Sequence, residues 1–214
     1  MNKLLIAAVI MCMINACSDQ EAKHGDHAKM DSASDTNHAG TNENNEIKQL
    51  MDEMMTKMHR QKLTGNNDVD YAGMMLEHHR GAVNMAKLQL SKGSDTALKT
   101  FSGKLIADQQ KEITLMDEFI SRSSSTTTPG NDAFKKALDA SMQTMMNADV
   151  KIYHDIDKDF VAQMIPHHQS AVDMAKAYLK FGNDPGLRKM SEDIMTSQTT
   201  EIGWLDKWNE EKLK

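Results

Sequence analysis

The chain has 214 residues, 39% hydrophobic and 26% charged, with a formal net charge of -6, a composition that fits one or two ordinary soluble domains and excludes a collagenous or disulfide-built protein. The acidic balance without a basic run excludes a nucleic-acid footprint, because neutralising phosphates requires clustered Lys and Arg. Methionine is in excess, with 19 residues against 5 Phe, 3 Tyr and 2 Trp, so the core is built from thioethers more than from rings.

The first predicted element is a secretory signal over residues 1–16. Asn2 and Lys3 give a short positive start, and the apolar run 4–11 is too brief to span a bilayer. Ile14-Asn15-Ala16-Cys17 resembles a bacterial lipoprotein signal. That resemblance implies lipidation of Cys17 and an exported chain anchored in the cell envelope without spanning it. Ser18 after the cysteine further implies the outer membrane, facing the periplasm. A lipidated Cys17 leaves the mature chain no free thiol, since Cys12 lies inside the signal. Soft-metal chemistry must then draw its sulfur from methionine. Residues 17–45 are polar and bury almost nothing, the composition of a disordered tether. Within it His24, Asp26, His27, Met30 and His38 form a loose cluster without fixed geometry.

Two helical domains follow, 46–122 and 132–214, joined by a Ser/Thr-rich linker over 123–131. Shifting the chain on itself by 89 residues aligns 70–117 with 159–206 without a gap, at 18 identities in 48 positions. This is a tandem duplication. Helical periodicity predicts three helices in each copy: 46–63, 69–92 and 96–121, then 132–147, 158–181 and 185–212. Gly93 and Gly182 stand where a left-handed helix end favours glycine, and Asp184-Pro185 reads as an N-cap followed by a proline at the first helical position. The fold class is therefore all-α, two tandem homologous helical-hairpin units of the antiparallel four-helix-bundle type.

The residues that carry chemistry are a Met and a His pair on one helix, present in both copies. Met75, His78 and His79, and Met164, His167 and His168, stand three and four residues apart, which places each Met over the same face as its imidazoles. Met85 and Met174 continue each stripe two turns on, and Ala82 and Ala171 leave room above it. Met54 and Met55, with their counterparts Met145 and Met146 on the preceding helix, could close a coordination shell. Thioethers are neutral and soft and imidazole serves both copper oxidation states, so the set suits copper, chiefly Cu(I) and also Cu(II). Free imidazoles would yield to protons below roughly pH 6.5.

A methionine stripe also serves as plain core, and a metal-free module whose Met-rich grooves receive a partner helix is one alternative. The second is a ferritin-like redox enzyme. A carboxylate di-metal centre of that kind would need Glu-x-x-His on two helices; the one instance here, Glu21 to His24, lies in the tether. There is no Gly-x-Ser-x-Gly elbow and no Cys-x-x-Cys-His. The residues read as a binding protein and not as an enzyme.

Asp159-Phe160, Met164-Ile165-Pro166-His167-His168-Gln169 and Ala171-Val172-Asp173-Met174-Ala175 resemble the signature of the domain-of-unknown-function 305 family. The likeness continues through Asp184-Pro185, Leu187 and Gln198-Thr199-Thr200-Glu201-Ile202, and the first copy resembles a more diverged second domain. Its Leu76-Glu77 replaces Ile165-Pro166, removing a proline that would bend the helix. The resemblance implies a ferritin-like helical fold and an association with copper handling in the bacterial periplasm. It carries that association to Met164, His167, His168 and Met174, and to Met75, His78, His79 and Met85. It also implies a copper-handling partner protein, with sequestration, transfer or resistance as the role.

Overall fold

A computed structural model of the protein describes residues 45–212 except residue 125. The predicted signal, Cys17 and the tether up to residue 44 lie outside the described residues; Asn45, the last residue assigned to the tether, is the N-cap of α1. Six helices follow in order: α1 (Glu46–Arg60), α2 (Asn67–Lys92), α3 (Thr96–Arg122), α4 (Asn131–Met146), α5 (Ile156–Phe181) and α6 (Pro185–Lys212). No strand occurs among the described residues.

Five of the six helices begin on a polar side chain that accepts from the otherwise orphaned amides of the first turn. Asn45 accepts from Lys48 N, Asn66 from Asp68 N and Val69 N, Asp95 from Ala97 N and Leu98 N, and Asp155 from Lys158 N. Asp184 accepts from Leu187 N at 2.9 Å, with Pro185 at the first helical position as expected. The caps at Asn66 and Asp155 explain why α2 and α5 start two residues ahead of the hydrophobic pattern. Before α4 there is no side-chain cap; Gly130 makes the turn in the left-handed region, at φ +81°.

Gly93 and Gly182 do not adopt the left-handed conformation expected of them. Both are extended, with φ of -63° and -88°. Their requirement for glycine is close approach. A Cβ on Gly93 would lie 2.2 Å from Gln89 Nε2 and 2.6 Å from Asp157 Oδ1, and one on Gly182 would lie 2.0 Å from the Tyr178 ring.

The six helices belong to one compact unit. α2 and α3 form one antiparallel hairpin, α5 and α6 the other, and α2 packs on α5. The shorter α1 lies against α2 and α5, and α4 against α5 and α2. Because each copy presents the same helix to the other, the contacts repeat at the 89-residue shift. Asp68 accepts from Tyr178 Oη (2.6 Å) and from the amides of Asn183 and Asp184, at the end of the opposite hairpin helix. Its counterpart Asp157 accepts from Gln89 Nε2 (2.5 Å), from the Ser94 hydroxyl and from the amides of Ser94 and Asp95.

Burial alone would raise the Asp157 carboxyl; the bonds from Ser94 and Gln89, then those from the two amides, outweigh it and hold the group below its usual range. One acid from each copy thus fastens the turn of the other, which is what a local two-fold axis between α2 and α5 requires. The linker is tied in as well. Thr128 N donates to Gly65 O (2.8 Å), and Thr128 Oγ1 accepts from Asn67 N (3.1 Å).

Candidate metal centre

The core between the helices is rich in thioethers. Met75, Met85, Met164 and Met174 have no exposed surface, and neither have Ala82 and Ala171. The space above the alanines is thus closed to solvent, where the sequence suggested an open one. His78, His79, His167 and His168 are also buried completely. Since a buried polar atom without a partner is costly, how the eight ring nitrogens are satisfied is the informative question.

The inner pair meets at the local axis. The rings of His78 and His167, equivalent residues of the two copies, are 3.7 Å apart between centroids. His167 Nε2 lies 3.1 Å from the carbonyl oxygen of His78. A carbonyl can only accept, so Nε2 carries the proton and Nδ1 is left as a lone pair. That Nδ1 has no hydrogen-bond partner, and neither nitrogen of His78 has one. Burial first, then the nearby imidazoles, push His78 and His167 well below the ordinary histidine range. Protons therefore compete for this pair only in more acidic solution than free imidazoles suggest.

The outer pair faces a carboxylate in each copy. His79 Nε2 donates to Glu112 Oε2 at 2.7 Å, and His79 Nδ1 has no hydrogen-bond partner. His168 Nε2 sits 3.0 Å from Glu201 Oε2 but out of line for a hydrogen bond, and both its nitrogens lack a hydrogen-bond partner. Glu112 and Glu201 also line a cavity of about 220 Å³ between α3 and α6, together with Gln109 and Gln198. Both glutamines are buried; Gln109 has neither side-chain polar atom bonded, and Gln198 Oε1 has no partner. Glu112 and Glu201 are equivalent residues at the 89-residue shift, and helical spacing alone does not bring them to the histidines. Their shared 33-residue spacing from His79 and His168 was the available signal.

The methionines of α1 and α4 are placed differently from one another. Met54 packs over α2, where a Cβ on Gly81 would stand 2.3 Å from its sulfur. Met55, Met145 and Met146 line a separate groove with Met51 and His59. Among the described residues no three His, Cys, Asp or Glu side chains converge on a metal-holding position. The unpartnered imidazole nitrogens and the buried methionines carried on the same helices are donor types that suit a soft ion better than a hard one.

The family model described as "Domain of unknown function (DUF305)" matches residues 15–120 and 68–209. The chain belongs to the DUF305 family. The two matched segments overlap over 68–120, and their ends lie 89 residues apart, the shift of the internal repeat. The segment 68–209 runs from α2 into α6 and takes in both hairpins.

Solved structures similar to this DUF305 chain include CopM in its Ag-bound form, obtained by soaking, at 31% identity and a TM-score of 0.54, covering 69% of this chain and 97% of that one. CopM in the Cu(I)-bound form is 28% identical with a TM-score of 0.51, covering 67% and 96%. The Cu(II)-bound form is 29% identical with a TM-score of 0.53, covering 68% and 98%. The chain is also 39% identical over 46 residues to uncharacterized protein L153 of Acanthamoeba polyphaga mimivirus, a stretch that makes up 22% of this chain and 30% of that protein.

Proposed function

We propose that the protein binds copper, chiefly as Cu(I), through its buried His/Met cluster, and that it sequesters or transfers the ion in the cell envelope without acting as an enzyme. The observation that carries this reading is the likeness, over nearly the full length of CopM, to structures of that protein with Cu(I), Cu(II) and Ag bound. The buried nitrogens without partners support it, since metal ligation relieves an otherwise uncompensated desolvation. His167 Nδ1, His79 Nδ1 and the nitrogens of His78 and His168 are the available imidazole donors, with Met75 and Met164 supplying sulfur from the preceding turn of each helix.

Neutral ligands leave the ion's charge uncancelled and hold it less tightly than thiolates, which suits handing it to a partner protein. The carboxylate of Glu112 orients the outer imidazole of its copy in the manner of a supporting group at a metal site. Localisation rests on the lipoprotein-like signal at Cys17, which makes the protein a lipid-anchored one facing the periplasm. No helix among the described residues is long and apolar enough to cross a membrane.

The test is anaerobic competition for Cu(I) against a chromophoric chelator, comparing wild type with His78→Gln/His167→Gln and Met75→Leu/Met164→Leu. Saturable binding weakened by both variants is expected. Equal competition by all three proteins would refute this assignment of the ligands.

A further inference from the structure

A groove separate from the buried histidines gathers the remaining soft donors. Met51, Met55 and His59 stand at four-residue spacing along one face of α1, and Met145 and Met146 come from the last turn of α4. All five line one cavity of about 360 Å³. Three features bear on what this cluster can hold. Met51 and Met145 belong to the buried core, whereas Met55 is half-buried and Met146 is 49% exposed, so the cluster runs from the core to solvent. The His59 ring nitrogen Nδ1 lies 2.8 Å from the carbonyl oxygen of Met55; that carbonyl can only accept, so Nδ1 carries the proton and Nε2 keeps its lone pair for a ligand. Asp52, the carboxylate of the lining, is paired with Lys48 at 2.5 Å. Beside that ion pair and Gln163, the groove offers thioethers and one imidazole.

We infer that the groove between α1 and the end of α4 is a second site for a soft monovalent cation, reachable from solvent, with Met51, Met55, His59, Met145 and Met146 as its donors. The inference rests on the soft-metal reading of the protein and adds to it an accessible point at which the ion is taken up or released. Thioether side chains have three rotatable bonds and can close on an ion without moving the helices, and sulfur with imidazole selects Cu(I) or Ag(I) over hard cations. Gln163 forms the buried side of the same cavity and adjoins Met164 of the histidine cluster in sequence. The groove thus reaches the helix that carries the interior donors.

The experiment uses the full chain with Cys12→Ser/Cys17→Ser, so that no thiol competes, and methionine labelled with ¹³C at the methyl group. Ag(I), which does not change oxidation state here, is the probe. On titration the methyl resonances of Met51, Met55, Met145 and Met146 are expected to shift together. The variant His59→Gln/Met55→Leu/Met146→Leu is expected to bind about one ion fewer per chain, with its helical circular dichroism unchanged because the three sites are exposed or half-buried. His78→Gln/His167→Gln should leave the groove shifts intact.

Groove methyls that stay in place at saturation, or an unchanged ion count in the groove variant, would overturn the inference. An ion lost from the groove variant alone would keep this site and remove the buried one. An ion lost from the histidine variant alone would do the reverse.

Discussion

Gly81→Ala puts two opposing effects in competition at the seat of α1 on α2. Replacing glycine by alanine in a helix interior favours the helix by about 0.8–1.0 kcal/mol. Against this, the new Cβ would lie 2.3 Å from Met54 Sδ, 2.6 Å from its Cγ and 2.9 Å from its Cβ. The sulfur and Cγ can swing away, but the Cβ of Met54 moves only with the backbone of α1, so a rotamer change does not clear the contact. Overpacking of this kind costs about 1–3 kcal/mol, and the need to shift a helix places it in the upper part of that range. The net expectation is a loss of about 1–2 kcal/mol, read as a lower midpoint in urea unfolding at unchanged m-value.

Met54→Gly removes all three crowding atoms, the Cβ included, so Gly81→Ala should cost less in that background, giving a favourable coupling of about 1 kcal/mol in a double-mutant cycle. The second copy has Ser170 at the equivalent position, fully buried, so a Cβ is accommodated where α4 takes the place of α1. Stabilisation of wild type by the full helix-propensity gain would refute the seating of Met54 over α2.

Three further outcomes are expected. Asp157→Asn should lower the unfolding free energy by about 2–3 kcal/mol at neutral pH, because it removes charge-assisted bonds from the Gln89 amide, the Ser94 hydroxyl and two backbone amides. The folded-state carboxyl is depressed, so its contribution is fully present above the unfolded value of about 3.9 and fades as pH falls through the folded value; unfolding curves of the two proteins should converge in acid, and a gap constant with pH would contradict the assignment. Gly182→Ala, at an extended φ of -88°, should cost about 2 kcal/mol through collision with the Tyr178 ring, and thermal unfolding as stable as wild type would contradict the close-approach explanation. Glu112→Gln should retain copper binding but weaken it about 10–100-fold in chelator competition, the usual cost of losing a group that orients a ligand imidazole; an unchanged affinity would remove Glu112 from the site.

The helices and their repeat were legible because they are written locally. Apolar spacing, the acid and amide caps, and the ungapped 89-residue shift each report on a few neighbouring residues. What depended on how the copies meet was not legible. Nothing near Gly93 in the sequence shows that Asp157 crowds it, so its place after a helix points to a left-handed turn where close approach is the reason. The four histidines were readable as a functional set, but the close approach of the His78 and His167 rings, 3.7 Å between centroids, arises only because equivalent faces of α2 and α5 pack together. Likewise Glu112 and Glu201 reach His79 and His168 through the rotation of α3 and α6. Met55, Met145 and Met146 looked equivalent to Met54 by spacing alone; the structure divides them, since Met54 faces α2 whereas the other three face the groove.

The central claim is that imidazole and thioether together hold copper in the interior. X-ray absorption of the protein loaded anaerobically with a single equivalent of Cu(I) tests it most directly, because sulfur and nitrogen scatterers are distinguished at the metal itself. A mixed sulfur and nitrogen shell is predicted, with the nitrogen contribution diminished in His78→Gln/His167→Gln and the sulfur contribution diminished in Met75→Leu/Met164→Leu. A shell of oxygen and nitrogen alone, or a spectrum that neither substitution alters, would contradict it.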